Sequence, residues 1–297
     1  MLNKLILAVL MVCAINIVSY GQNINTPANS NDDAKPPSTV DVNPPVTPAN
    51  IETKTNDKYI SGITEQEISS LIAKLSNDDP IVSSDTKNEL IEIGKPAVLQ
   101  LLDILEKTKP NTRHLICKIL GSIRDDRAIP ALVKLLENKE ESLTSIASVA
   151  ADNLKYFSDN SIIPYLMRVV TSTDINLRYE SIKTLGVMRA NQALPLIREY
   201  ITDTSKTSLG YLVQTASIEA IGRMKDTQSI SQLIALLKNT DIEPANEESV
   251  AKYVIKALER ITNHQEGVFT RMDEKKKKQQ VIKKWEDWWE KNKNNYE

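Results

Sequence analysis

Paired acids such as Asp125 and Asp126, the thiol of Cys117 and two distant histidines are residues of this chain whose types suit bond-making chemistry. Asp125 and Asp126 stand together in "IRDDRAIP", and paired carboxylates can divide the acid and base roles of a hydrolytic reaction. They fall in a turn just before a helix, however, where Asp126 is expected to cap free backbone amides. Cys117 in "HLICKILG" has the type of a nucleophile or redox sensor, yet its position is an apolar helical one, so a small buried hydrophobe is expected. His114 and His264 are the two histidines and lie far apart. There is no Cys/His cluster at zinc spacing, no glycine-rich phosphate loop and no nucleophile elbow, so no catalytic residue, metal site or cofactor site is expected.

Two other groups of residues suit binding. Trp285, Trp288 and Trp289, the three tryptophans of the chain, fall within "KKWEDWWEK" near its end. Gln100, Lys134, Arg168 and Glu199, with Tyr165 beside them, combine charge with flat aromatic area, types enriched at protein interfaces. What either group does depends on the elements that position it.

Composition favours helices. The chain has 297 residues, of which 41% are hydrophobic, 26% charged and only 5% aromatic, with 8 glycines. That argues against an all-β protein with many tight turns. A formal net charge of −2 does not suit nucleic acid as a partner.

Residues 1–21 read as a secretory signal, with Lys4 as the positive region, "LILAVLMVCAINIV" as the apolar region and "SYG" before a cut at Gln22. The apolar run of about 14 residues is short of the roughly 20 that span a bilayer. An uncleaved anchor and lipidation at Cys13 are the alternatives, and membrane contact is expected only through this segment if it stays attached. Export to the periplasm or the outside follows as the expected location. With the signal removed, Cys117 is the one cysteine left, so no intramolecular disulfide is available. Residues 22–62 are rich in Asn, Pro, Thr and Asp and lack a hydrophobic period. They read as a spacer that buries too little to fold.

A repeat follows over residues 63–262. The segments "DTKNELIEIG", "TRHLICKILG", "IASVAADNLK", "LRYESIKTLG", "VQTASIEAIG" and "VAKYVIKALE" align without gaps on anchors Gly94, Gly121, Lys155, Gly186, Gly222 and Glu259. Their average period is roughly 33 residues. The residue before each anchor is Ile or Leu, and the residue four before is Leu90, Cys117, Ala151, Ile182, Ile218 or Ile255. Those positions form one stripe of a helix.

A second helix is expected after each anchor. Asp126, Asn160, Asn191 and Thr227 stand at its start as caps. Pro130, Pro164 and Pro195 stand in its first turn, where a missing N–H costs little. Pro96 is taken as the equivalent proline of the abbreviated first repeat, which puts Gln100, Lys134, Arg168, Glu199 and Ala235 in one row, four residues beyond the proline slot.

The arginine eight residues before the glycine (Arg113, Arg178), the Leu-Gly pair and "AIPAL" resemble HEAT repeats of the short, phycobilisome-lyase-like type. Lys155 and Glu259 in place of glycine, and Ala147, Gln214 and Ala251 in place of arginine, depart from that pattern. The resemblance covers roughly residues 64–262 and implies an all-α, right-handed α-solenoid of helical hairpins, an armadillo-like superhelix with first helices on the convex side and second helices on the concave side. It also implies an interaction scaffold, with a cofactor-handling or bilin-lyase-like enzyme as the alternative.

Both ends of such a stack need covering. "TEQEISSLIAKLS" supplies an amphipathic half-repeat with Thr64 and Glu67 spaced as a capping box. At the other end, within residues 263–297, Val281, Ile282, Trp285, Trp288 and Trp289 recur at spacings of three and four on one helical face. The tryptophans are therefore expected to close the last repeat, with an exposed aromatic hook or a membrane-surface helix as the alternatives. The expected function is non-enzymatic binding of another protein or assembly through the concave row.

Overall fold

Apolar stripes at helical spacing, short helices with proline in the first turn and few glycines favour a chain built from helices. The computed structural model describes residues 63–77, 79–138, 145–239, 250–265 and 275–296, all within one unit, Asn56–Glu297. The signal expected at 1–21 and the spacer expected at 22–62 lie outside the described residues. Among the described residues there are thirteen α-helices and no β-strand, and no helix long and apolar enough to cross a membrane.

Helix α1 (Glu65–Lys74) stands alone, and hairpins follow: α2 (Pro80–Ile93) with α3 (Val98–Ile104), α4 (Pro110–Ile123) with α5 (Ile129–Leu135), and α6 (Ile146–Leu154) with α7 (Ile163–Val169). Next come α8 (Ile175–Val187) with α9 (Leu194–Arg198), α10 (Val213–Arg223) with α11 (Ile230–Asn239), and α12 (Val250–Thr262) followed by α13 (Lys275–Asn292). The first helices α2, α4, α6, α8, α10 and α12 pack side by side in sequence order, and each second helix from α3 to α11 packs on the first helix that follows it. This is an all-α solenoid of HEAT-like hairpins. Helix α1 starts with the expected capping box, the Thr64 amide donating to Glu67 Oε2 at 2.6 Å and the Glu67 amide to Thr64 Oγ1 at 3.2 Å.

The stripe of the first helices is the core. Leu90, Cys117, Ala151, Ile182, Ile218 and Ile255 are all buried, as are the Ile or Leu residues next to the anchors. Burial pushes the Cys117 thiol up to about 12, which keeps it in the unreactive S–H form. Gly94 ends α2 as its C-cap at φ 72°, and Lys155 ends α6, but the later glycines do different work. Gly186 and Gly222 lie inside α8 and α10, and a Cβ there would sit 2.6 Å from Ala220 Cα and 2.8 Å from Ala257 Cα of the next first helix. Glycine lets two backbones approach, which a side chain would prevent. Where Lys155 replaces it, the junction is polar, Thr184 Oγ1 of α8 donating to the Ala151 carbonyl of α6 at 2.8 Å.

Each hairpin turn contains a three-residue 3-10 segment ahead of the second helix, as in Asp126–Ala128 and Asn160–Ile162. This moves the cap one residue earlier than the sequence suggests. Asp125 Oδ1 accepts from the Arg127 amide at 3.0 Å and Asp159 Oδ1 from the Ser161 amide at 2.8 Å, so Asp126 and Asn160 are not the caps. The arginines of the repeat pattern fasten neighbouring hairpins. Arg113 donates to the carbonyls of Leu105 and Thr108 at 3.2 and 3.0 Å, and Arg178 to that of Ser172 at 2.9 Å, occupying acceptors that the preceding second helix leaves free.

Candidate functional site

The short second helices carry the row expected from sequence, and their register is fixed by burial. Leu101, Leu132, Leu166, Ile197 and Leu233 are fully buried at one equivalent position. Counting from it, Lys134, Arg168, Glu199 and Ala235 share a position, and their first-repeat equivalent is Asp103. Gln100 does not share that position; it falls three residues earlier, at the register of Tyr165. The reason is Pro96, which occupies the 3-10 turn Lys95–Ala97 rather than the first turn of α3, leaving Leu99 in the proline slot. A missing N–H is tolerated in either turn, so the proline alone does not set the register. Gln100 holds α1 in place, its Nε2 donating to the Glu65 carbonyl at 3.2 Å and its Oε1 accepting from Ser69 Oγ at 2.8 Å.

The remaining members of the row are exposed, and Lys134 and Arg168 are linked to the preceding repeat. Lys134 Nζ lies 2.6 Å from Glu106 Oε1, and Arg168 Nη2 lies 2.9 Å from Glu137 Oε1, each reaching back to the end of the preceding second helix. The Lys134 hydrogen bond and charge hold Glu106 below the usual carboxylate range. The Arg168 guanidinium also lies 5.3 Å over the Tyr165 ring, which is 41% exposed. Lys134, Tyr165 and Arg168 thus lie on successive second helices, while Glu199 is exposed one repeat further on.

At the C-terminal end α13 packs on α11, with Lys238 Nζ 2.7 Å from Glu286 Oε1. Trp285 is 0% exposed, the largest fully buried side chain described. His264 stacks on Trp288 at 5.0 Å and meets Trp285 edge-on at 5.6 Å, while Tyr296 lies against Trp288 and Trp289, both half-buried. The Trp285 Nε1 has no hydrogen-bond partner among the described residues.

A third place was not expected from sequence. Between α9 and α10 the chain forms a small hairpin with an antiparallel bridge between Lys206 and Leu212. The Thr207 amide donates to the Tyr211 carbonyl at 2.9 Å and the Val213 amide to the Ser205 carbonyl at 3.0 Å, while Gly210 turns the chain at φ 85°. The hairpin is tied down on both sides. Ser208 donates to Asn176 Oδ1 from its amide at 2.9 Å, Arg178 Nη1 meets Asp203 Oδ2 at 2.7 Å, and Tyr211 stacks on Tyr179 at 5.7 Å. Between it and helices α6 and α8 lies a recess of about 50 Å³, lined among others by Ser148, Asn176, Tyr179, Glu180, Leu209 and Tyr211.

Charges meet beside that recess. Lys183 Nζ lies 3.0 Å from Glu180 Oε2 and 3.4 Å from Asp152 Oδ1, and Lys155 also pairs with Asp152. Burial pushes Glu180 up to about 7 in spite of Lys183. Burial acts the same way on Asp152, but there Lys155 and Lys183 outweigh it and hold the carboxyl below its ordinary value. Burial also pushes Tyr179 up to about 12. The recess left only a faint signal in the sequence: the stretch "TDTSKTSLGYL", too long for a repeat junction and lacking the helical period.

Parts of this chain are similar to known proteins. An uncharacterized phycocyanin operon protein Y of Pseudanabaena tenuis is 31% identical over 100 residues, which is 31% of this chain and 23% of that protein. Deoxyhypusine hydroxylase of Eremothecium gossypii is 34% identical over 92 residues, 29% of this chain and 28% of that one. The chain thus spans about a quarter of the length of the curated relatives it matches. Among solved structures, the complex of CpcE and CpcF of phycocyanin lyase from Nostoc aligns with TM-score 0.46 at 18% identity, covering 52% of this chain and 98% of that one. A designed armadillo repeat protein aligns with TM-score 0.38 at 16% identity, covering 66% and 100%. The repeat register, the buried stripe and the hairpin order agree with two family matches: residues 68–151 match HEAT repeats, and residues 213–239 match the PBS lyase HEAT-like repeat.

Proposed function

We propose that this chain is an exported, non-enzymatic scaffold that binds another protein or assembly through the exposed row of its second helices. The observation that supports this is the placement of Lys134 on α5 and of Tyr165 and Arg168 on α7, the next second helix, with the arginine over the tyrosine ring at 5.3 Å. Flat aromatic area beside a guanidinium is a combination found at the centres of protein interfaces. The ion pairs to Glu106 and Glu137 are exposed, so they hold the side chains in place without contributing much to stability. Lys134→Glu combined with Arg168→Glu is therefore expected to leave helicity and melting nearly unchanged while reducing recovery of partner in a pull-down from native envelope fractions. Undiminished recovery with a folded protein would remove the row from consideration.

Export rests on the signal pattern of residues 1–21. Mass spectrometry of the protein from its native host is expected to find Gln22 as the first residue, whereas an intact Met1 or a lipid on Cys13 would argue for a membrane anchor. The second reading is a cofactor-handling or bilin-lyase-like activity, favoured by the likeness of about a third of the chain to the phycocyanin operon protein. Visible absorbance of the natively purified protein would favour it over the scaffold.

A further inference from the structure

We propose that the edge of the stack formed by the turns after α4, α6, α8 and α10 is a membrane-contact surface that rests on anionic lipid headgroups, with Arg124, Arg189 and Lys225 at the headgroups and Tyr156 and Val187 against the acyl boundary. This does not rest on the second-helix row and shares no residue with it. Each hairpin reverses the chain, so the first helices run the same way and the turns that follow them line one edge.

What stands at the tips of these turns is not explained by the fold. Arg124, Arg189 and Lys225 take the left-handed conformation at φ 57°, 52° and 53°, at the place where a helix ordinarily ends on glycine or asparagine. A side chain loses stability in that conformation, and a cation beside a helix C-terminus regains a similar amount, so the two effects nearly cancel. Stability therefore does not select arginine or lysine there. All three residues are exposed. The Arg189 and Lys225 side chains have no hydrogen bond or ion pair among the described residues, and Arg124 lies 5.4 Å over the ring of Tyr156, with Lys155 5.0 Å from the same ring.

The acids of the same turns do not cancel these charges. Asp125 and Asp226 are buried, paired with Arg127 at 2.7 Å and with Arg198 at 2.6 Å. Asp126 and Asp159 reach the surface, but they belong to the turns after α4 and α6, and the turn after α8 contains no acid. At the end of α10 Arg223 is matched by Glu219 at 2.8 Å, which leaves Lys225 over. Apolar side chains alternate with the cations, Tyr156 being 38% exposed and Val187 37%. Packed helices lie about 8–10 Å apart, so the edge presents a cation or an apolar side chain at every step. A row of that composition suits a headgroup layer, where cations meet phosphate while aromatic and aliphatic groups enter the boundary beneath. A purely acidic protein segment would leave Tyr156 and Val187 unmatched.

The test is cosedimentation of the full chain with vesicles of equal parts phosphatidylglycerol and phosphatidylcholine, and with vesicles of phosphatidylcholine alone, the second serving as the baseline for apolar binding by residues 1–21. Binding is expected to be tighter to the anionic vesicles and to weaken with salt. Arg189→Gln combined with Lys225→Gln should lower the partition coefficient for anionic vesicles about 25-fold, about fivefold for each cation near the surface. Both positions are exposed, so melting should not change. Tyr156→Ser should weaken binding as well while leaving its salt dependence unchanged. Equal binding to the two kinds of vesicle, an undiminished partition coefficient in the double variant, a larger loss from Lys283→Gln with Lys284→Gln on α13, or tighter binding of polyglutamate than of anionic vesicles would overturn the proposal.

Discussion

Replacing Trp285 by Ala is expected to cost the protein roughly 3–5 kcal/mol, the usual penalty for deleting a large buried aromatic. Trp285 is 0% exposed and lies where α13 covers α11, in contact with His264 and Trp288. In a stack whose stability is carried by contacts between neighbours, the loss is felt first next door. Hydrogen exchange should therefore accelerate in α11 and α12 before it does in α4 and α6, and urea titration should show the C-terminal hairpins opening early. Trp285→Phe should cost far less than Ala, because it keeps most of the ring and removes an N–H that lacks a partner among the described residues. Unchanged melting and unchanged exchange in the Ala variant would mean that the tryptophan segment projects instead of closing the stack.

Removing the Asp226 carboxylate is expected to have a comparable effect by a different route. Asp226, 5% exposed, accepts from Arg198 Nε at 2.8 Å and Nη2 at 2.6 Å, and from the Ser229 hydroxyl. Arg198 comes from α9 and Asp226 from the turn before α11, so the pair joins two hairpins. Deleting one partner of a buried pair strands the other and costs about 3–5 kcal/mol; the partial exposure of Arg198 places Asp226→Ala toward the lower end. Arg198→Leu combined with Asp226→Ala should recover part of the loss.

The same carboxylate carries a pH signature. Burial works against its ionisation, but the Arg198 and Ser229 hydrogen bonds outweigh burial and hold it below its ordinary value. A carboxyl depressed in the folded state adds stability above its unfolded pKa of about 4, and that stability is lost as the pH falls through the folded value. Urea midpoints measured between neutral pH and about pH 3 should fall less for Asp226→Asn than for the parent. Parallel curves for the two proteins would rule out this source of acid sensitivity.

The first helices were fully legible because their period is strict: a buried residue at the anchor minus one and another at minus four recurs from Leu90 and Ile93 to Ile255 and Leu258. The second helices were legible as elements but not in register. Proline fits two different first turns, so Pro96 misled the alignment by three residues and carried Gln100 with it. Capping was displaced for a related reason, since Asp125 and Asp126 are equally suitable types and only the 3-10 turn decides between them. Tyr179 and Glu180 sit in "LRYESIK" outside the stripe at the anchor minus one and minus four. The hairpin at 203–213 that lies beside them follows no period, so no repeat alignment could place it there.

The two layers of the stack differ in stiffness. Where Gly186 meets Ala220 and Gly222 meets Ala257, backbones touch with no side chain between them, and close-packed contacts of that kind resist both compression and sliding. Second helices are shorter, down to Leu194–Arg198, and are bridged on their outer side by flexible lysine and arginine side chains. When the stack flexes, the layer of first helices is the fixed spine and the strain falls on the spacing between Lys134 and Arg168. On the scaffold reading proposed above, a partner seated on that row would meet a ruler with adjustable divisions, able to match targets of slightly different pitch at little elastic cost.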